Sequence, residues 1–506
     1  MIDRLPDTVL EEFFFQYLMC IVQNDPSQLD RARVALLSVC PRWNALVTGS
    51  KRLWSSIYVG QKRTLDLIPP PHILRMWIER SGETPLAVYI EYEEKTEEYP
   101  LRVAVEQSDN SEAKGEEDPE DVSSTAAGDE EDQQDDPSPV ADGDDSDSSS
   151  GTADEDANVP QIQVLYHRRP RVPSPDIGPF TTCINLLAPT IARWRHFTLN
   201  SYTPMDRKWV QPIESIPFER ANQLQNAHFK PSWNMPVPDS VLQQLSTLPS
   251  LCSLIWWPAS YRYTNTGQDF ASLRRLSLAG NFMTYVADVL QITPTITHLT
   301  IRLTTCHCCC EPSEIPAGTR ILLPHLEFLS IEAVFDNHKF LDMLEAPKLT
   351  LLAVTEPIVD MEPFGEEGVG ELHPALHRYL SSAPEHLRGI ILESQFTVNH
   401  LVEFFSYPVV ENLGVLEIIH HLSEKDLYDE NVWERVLRSA EVSDEIKRRL
   451  SFEKHPGRRK GTEVQVVGWR GANESRAFEA ILPDVKSKNT FDDREDRWDR
   501  AILGVA

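Results

Sequence analysis

Downstream of residue 180 one short apolar pattern recurs in phase, and it restricts the fold of this chain more than any other feature. A Pro is followed by apolar residues two, five and seven positions later. The copies are Pro249-Leu251-Leu254-Trp256, Pro294-Ile296-Leu299-Ile301, Pro324-Leu326-Leu329-Ile331, Pro347-Leu349-Leu352-Val354 and Pro408-Val410-Leu413-Val415. One copy lacks the Pro, at Leu273-Leu276-Leu278, and one has an extra residue, Pro384-Leu387-Ile390-Leu392. With Ala271 standing for the missing Pro, successive copies lie about 22, 23, 30, 23, 37 and 24 residues apart. The last two apolar positions of each copy are two residues apart, the period of a strand, so they point to one side while the residue between them points to the other. Helix-like runs precede most copies: Val286 to Gln291, Phe340 to Leu344, Ala375 to Ser381 and His400 to Ser406. One strand with one helix cannot bury its apolar side alone. Copies stacked at a steady spacing can.

This spacing and the L-x-x-L-x-L kernel resemble leucine-rich repeats, in which each unit lends one strand to a curved parallel sheet. The resemblance implies an α/β solenoid with a parallel sheet, expected over residues 159–430, with a closing segment over 431–506. Pro189-Ile191-Trp194-Phe197-Leu199 and Leu224 to Phe229 read as degenerate first units. A helical Val432 to Leu450, a strand-like Val464 to Trp469 and a helix near Phe478 read as the closure. Leu299 and Ile301 should then point into the solenoid and Thr300 away from it. The other outward positions are Arg275, Ser277, His298, Arg302, Phe328, Ser330, Glu332, Leu351 and Ala353. They should line the sheet as one surface and read a target protein, with Arg275, His298, Thr300, Arg302, Phe328, Glu332 and Leu351 as contacts. Charges of both signs beside large apolar residues suit a peptide or folded partner better than a phosphate backbone or a membrane. The alternative is that a C-terminal segment covers Phe328 and Leu351 and the surface is inert.

The first sixty residues have a different character. Pro6 suits the start of a helix, where a missing N–H is no loss. Val9, Leu10, Phe13 and Phe14 recur at helical spacing, and Phe15, Tyr17 and Leu18 widen the apolar surface beyond half the circumference. One face can turn inward and another is left for a partner. After Asn24-Asp25-Pro26-Ser27 a second helix is expected from Ala32 to Val39. A third follows from Arg42 to Val47, separated by Pro41.

The string Leu5-Pro6-Asp7-Thr8-Val9-Leu10, then Val39-Cys40-Pro41-Arg42-Trp43-Asn44-Ala45-Leu46 and Leu53-Trp54-Ser55-Ser56-Ile57, resembles an F-box. The resemblance covers about residues 3–58. It departs from the common pattern in a longer first connection, Cys20 to Leu29, and in Pro41 where a basic residue is frequent. It implies docking on the Skp-type adaptor, and through it on a cullin, by way of Leu5, Pro6, Val9, Leu10, Val39 and Trp43. A chain built so would be a non-catalytic receptor that presents an unknown target protein for ubiquitin transfer. The architecture also resembles the F-box proteins with degenerate repeats of mushroom-forming fungi. The competing reading is a leucine-rich-repeat scaffold, without ligase association, whose N-terminal helices only cap the solenoid.

Charge separates these parts. The chain of 506 residues carries a formal charge of −30, and residues 106–158 hold 21 Asp and Glu against one Lys. That stretch has almost no large apolar residues, so it cannot bury enough surface to offset the entropy of ordering and is expected to be disordered. Ser146, Ser148, Ser149 and Ser150 stand among its aspartates, a setting acidophilic kinases favour. The expected order is therefore a helical module over 1–60, a connecting segment over 61–105, the acidic insert, the solenoid and the closure. No domain-wide basic excess exists to displace counterions from a nucleic acid. Basic patches at His167-Arg168-Arg169-Pro170-Arg171 and Arg458-Arg459-Lys460 have the composition of a nuclear-import signal, but they are read as incidental. No apolar run approaches the ~20 residues of a membrane helix. The N-terminal residues do not read as a secretory signal, and eight cysteines, half of them clustered, fit reduced thiols. A cytoplasmic or nuclear setting is expected.

A search for chemistry finds little. Cys306-His307-Cys308-Cys309-Cys310 offers soft-metal ligands, but adjacent side chains diverge and no second pair appears, so no metal is expected there. His373 and His377 stand four apart without the acidic partner of a zinc-protease helix. Gly365-Glu366-Glu367-Gly368-Val369-Gly370 has the glycines of a nucleotide loop, yet its glutamates would repel phosphate. No nucleophile elbow or phosphate loop is present. Neither a cofactor nor an enzymatic activity is expected.

Overall fold

The computed structural model describes residues 4–61, 67–92, 177–201, 207–230, 239–257, 269–280, 283–303, 319–333, 337–355, 372–382, 385–394, 398–421, 432–456 and 463–470. All belong to one compact unit formed by Met1–Thr96 and Pro175–Ala506. The acidic insert, Cys306 to Cys310, Gly365 to Gly370 and the expected helix near Phe478 lie outside the described residues.

The N-terminal region is three helices, α1 (Asp7–Asn24), α2 (Leu29–Val39) and α3 (Pro41–Gly49). In α1 Leu10, Phe14, Leu18 and Val22 are buried. Their four-residue spacing keeps them on one stripe, as 3.6 residues per turn requires. Asp25 ends the helix and turns the chain, its carboxylate accepting from the Ser27 N–H at 3.0 Å. Pro41 stands in the first turn of α3, where no N–H is needed. The indole of Trp54 donates to the Val47 carbonyl at 2.7 Å and ties α3 to the chain that enters the sheet.

The strands in chain order are β1 (Ser56–Gln61), β2 (Leu67–Ile68), β3 (Leu86–Tyr92), β4 (Trp194–Ser201), β5 (Asn226–Lys230), β6 (Ser253–Trp256), β7 (Arg275–Gly280) and β8 (His298–Leu303). They continue as β9 (Ile321–Leu322), β10 (Phe328–Ala333), β11 (Leu344–Glu345), β12 (Leu351–Thr355), β13 (Gly389–Ser394), β14 (Val415–His421), β15 (Ser451–Pro456) and β16 (Glu463–Arg470). Among the described residues β9 and β11 form a small sheet of their own and the other 14 form one large sheet. In that sheet β1, β3 to β8, β10 and β12 to β14 follow one another in chain order, each parallel to the last. That is a solenoid. Three antiparallel strands finish it, β2 beside β1 at one edge and the β16–β15 pair beyond β14 at the other. No helix among the described residues is long and apolar enough to cross a membrane.

Register explains the kernels. Leu276 and Leu278 pair with Leu299 and Ile301, these with Leu329 and Ile331, and these with Leu352 and Val354, and every one is at most 1% exposed. In the early strands the same positions hold aromatics: Phe197, Phe229 and Trp256 follow each other with ring centroids 5.3 and 5.2 Å apart. The helices Met283–Gln291, Asn337–Met343, Leu372–Ser381 and Val398–Phe405 stand before the strands they were expected to precede.

Three expectations need correction. The Pro408 copy is out of phase, because Pro408 opens a short helix (Pro408–Glu411) and the core positions of β14 are Leu416 and Ile418, paired with Ile390 and Leu392. Leu413 instead takes the place that Leu387 has one unit earlier, and Val415 lies on the other face. The sheet also begins well before residue 159, since β1 and β3 from the N-terminal third are its first parallel strands. Lastly, Val432 to Leu450 is two helices, Val432–Arg438 and Asp444–Arg449. Ser443 starts the second, its hydroxyl accepting from the Ile446 N–H at 3.3 Å.

Candidate functional site

Two surfaces stand out, one on the helices and one on the sheet. On α1, Val9, Phe13 and Tyr17 repeat every four residues one position away from the buried stripe, about 100° around the axis. With Leu5 ahead of the helix they form a line of side chains 39–64% exposed. Val39 is exposed too. Arg42, three residues beyond it, reaches back to the Asp7 carboxylate at 2.7 Å and to the Leu5 carbonyl, which brings the α2–α3 junction to the start of α1. Polar groups border the line: Arg52 pairs with Glu12 at 2.6 Å and lies over the Phe15 ring at 3.5 Å. The Glu12 carboxyl is held below its ordinary pKa by hydrogen bonds from Gln16 and Arg52.

Of the residues expected to meet an adaptor, Leu5, Pro6, Val9 and Val39 are exposed. Leu10 is not. It is 1% exposed and belongs to the core, because it shares the stripe of Phe14 and Leu18. Trp43 is half-buried with its ring 4.5 Å from that of Phe14, so most of it serves packing. Phe13, Tyr17 and Val34 were missed. The spacing from Val9 to Phe13 and Tyr17 is the signal that would have found the first two.

The second surface is the face of the large sheet opposite the Leu and Ile ladder. Arg275, His298, Phe328 and Leu351 form one row across the strands, Ser277, Thr300, Ser330 and Ala353 the next, and Arg302, Glu332 and Thr355 a third. The alternation is as expected. Accessibility is not: Phe328, Leu351 and Ala353 are each 2% exposed and make a second buried cluster with Ile391. An open apolar contact patch at Phe328 and Leu351 is therefore corrected to a closed one. Arg302 and Glu332 pair at 2.7 Å, half-buried, and the Arg302 guanidinium lies 5.2 Å from the ring centre of Trp257. Lys230 approaches the same ring at 4.8 Å. The sequence reading placed no contacts on β4 to β6, yet this polar cluster begins there.

Three histidines on this face are kept neutral. Burial lowers His196 to about 4, and its Nε2 lies 3.0 Å from the Thr198 hydroxyl. Burial, then Lys230 and His196, hold His228 well below the ordinary value. Burial, then Arg275, lowers His298 to about 4. Between pH 6.5 and about 4 the unfolded chain takes up protons that these imidazoles refuse, so their neutral state supports the fold fully above that window and less as pH falls through it. For one fully buried histidine the slope is up to ~1.4 kcal/mol per pH unit. His196→Gln should flatten the fall in melting temperature between pH 6.5 and about 4.5. An unchanged slope would show that His196 protonates freely in the fold.

His377, outside both surfaces, pairs with Glu403 at 2.6 Å on the helical side of the solenoid. No protein-family model matches the chain, and no curated protein matches it either. Among solved structures, the crystal structure of a Bacteroides fragilis protein is similar over 44% of this chain at 12% identity and a TM-score of 0.23. The likeness covers 50% of that protein's chain, and at this level it carries no argument about function.

Proposed function

We propose that this chain is the substrate receptor of a Skp-cullin-F-box ubiquitin ligase: the helical module docks the adaptor, and the repeat solenoid captures a target protein. It makes no covalent chemistry itself. The observation that supports this is the exposed line of Leu5, Val9, Phe13 and Tyr17 with Val39, on a module whose other stripe is already buried. An apolar line of that size on a small helical module is a contact surface in want of a partner.

A second reading has an observation of its own. Arg33 of α2 is buried and donates to the carbonyls of Leu53 and Ser56, which fuses the helices to β1 as a terminal cap would be fused. A cap that did nothing else would have no use for the exposed line of α1. Co-expression with a Skp-type adaptor and a cullin separates the two. A receptor should elute from size exclusion as a three-component complex, and elution of the chain alone under conditions where a known F-box protein assembles would leave the scaffold reading.

A further inference from the structure

We propose that the outward face of β10 to β14 is the seat of the chain's own C-terminal segment, residues 471–506, which lies across it as a strap. The face is closed although no described helix stands on it. Phe328, Leu351 and Ala353 are each 2% exposed, Ile391 5%, Val415 1% and Ile419 3%. Phe328, Leu351, Ala353 and Ile391 form a cluster apart from the main core, with no helical residue in it. The helices Met283–Gln291, Asn337–Met343, Leu372–Ser381 and Val398–Phe405 bury Val286, Phe340, Leu376 and Phe404 together with the ladder, so they cover the opposite side. Side chains stand roughly perpendicular to a sheet, and their tips stay open unless something lies above them.

Topology selects the segment. The row Phe328, Leu351, Gly389 and Val415 runs along the first residues of β10, β12, β13 and β14, and its next member is Arg470. Because β16 is antiparallel to β14, it ends where the parallel strands begin, and residues 471–506 set out from that row. The other long segments outside the described residues in this half of the chain, 304–318, 356–371 and 422–431, leave from the far ends of β8, β12 and β14. From β16 to β10 is four strand spacings, ~19 Å, which about thirteen residues of helix cover. The compact unit of the sheet runs on to Ala506, whereas Glu97–Ser174 belong to another unit.

The chemistry of the face fits that segment. Glu393 and Glu417 alternate with the core residues of β13 and β14, so they share the face with the apolar cluster; each is 4% exposed and each has a partner. Carboxylates buried this far call for donors with positive charge. A cover for this face must therefore bring both apolar side chains and cations. In residues 471–506, Phe478, Ile481 and Leu482 recur at the spacing of one helix side, and so do Trp498, Ile502 and Val505, with Arg494, Arg497 and Arg500 around the tryptophan. The acidic insert, with 21 Asp and Glu against one Lys and almost no large apolar residues, has neither. A partner that uses this face must first displace the segment. This holds whether or not the helical module docks an adaptor.

Two measurements on the 506-residue chain test this. In the first, the photo-crosslinker p-benzoylphenylalanine replaces Phe478 or Trp498, and cross-linked peptides are mapped by mass spectrometry in a mixture of light and heavy-isotope chains. At least one position should link within one chain to peptides carrying Phe328, Leu351, Ala353, Ile391 or Ile419. Links only to the helical side, no links from either position, or links only between light and heavy chains would overturn the proposal; the last would give the face to a second copy. In the second, Ala353→Cys sets a thiol on the closed face, and its labelling by iodoacetamide is compared with that of the buried Cys183. Adding Phe478→Ser, Trp498→Ser and Ile502→Ser should speed labelling at position 353 by roughly tenfold or more while Cys183 stays protected, because release of the segment opens the face and leaves the ladder core intact. An unchanged rate at position 353 would overturn the proposal as well. Equally fast labelling of Cys183 would mean that the variant has unfolded, and the cross-links then decide.

Discussion

Arg33→Ala should destabilise the chain by ~3–5 kcal/mol in urea unfolding, the range for truncating a large, fully buried side chain. Arg33 is fully buried. Its Nε donates to the Leu53 carbonyl at 3.0 Å, its Nη2 donates to the Ser56 carbonyl, and its guanidinium lies 5.1 Å from the ring centres of both Trp54 and Trp77. Arg80 approaches the Trp54 ring as well, at 4.5 Å. Burial draws the Arg33 pKa down to about 9, opposed by the nearby Asp30, so the group stays charged at neutral pH. The alanine variant would lose two charge-assisted hydrogen bonds, strand two carbonyls and open a cavity between two tryptophans. Arg33→Lys should not rescue it, because an ammonium cannot reach both carbonyls from a planar fork. Arg33→Met restores volume alone and should fall between. A loss under about 1 kcal/mol in the alanine variant would show that the helices are not held to β1 through this residue.

The double substitution Val9→Glu with Phe13→Glu should weaken adaptor binding by ~100-fold or more while leaving the melting temperature within a few degrees. Both side chains are about half exposed or more and make no part of the buried stripe, so the fold has little to lose. In a complex they would be central apolar anchors. Truncating one such anchor is worth ~2 kcal/mol or more, and placing a carboxylate in a dry contact adds a desolvation penalty. Leu10→Glu is the control with the opposite signature. It puts a charge in the core and should unfold the module outright. Trp43→Ala should do some of both, since its ring packs on Phe14 and is still half-exposed.

How much of this could be read from residue order differs by element. The ladder from Leu276 to Val354 was legible because a strand shows its core residues at a period of two and each unit repeats the statement. The phase of the last unit was not, since Pro408 fits a helix start as well as the opening of a kernel. In α1 the difficulty is rotational. Phe13, Phe14 and Phe15 are all apolar, and a step of one residue decides which stripe goes inward, so Leu10 was assigned to the surface and Phe13 passed over. Trp43 looked like an anchor for a partner because packing on Phe14 is a contact between two helices that spacing does not reveal. On the sheet the alternation placed Arg275, Thr300 and Arg302 on the correct face. It could not tell that Phe328 and Leu351 would be closed to solvent or that Trp257 would gather Lys230 and Arg302, because those depend on neighbours across the sheet. Arg33 gave no signal at all: an arginine within a helix reads as solvated until its two tryptophans are in place.

Whether the exposed line of α1 is a docking surface can be measured directly by calorimetric titration of a purified Skp-type adaptor into the purified 506-residue chain. A receptor should give one-to-one binding tighter than about 1 μM with a negative heat-capacity change, the mark of apolar burial, and both should vanish in the Val9→Glu, Phe13→Glu variant. No heat of binding at adaptor concentrations of about 100 μM, from a chain that melts cooperatively in the same buffer, would contradict the receptor function.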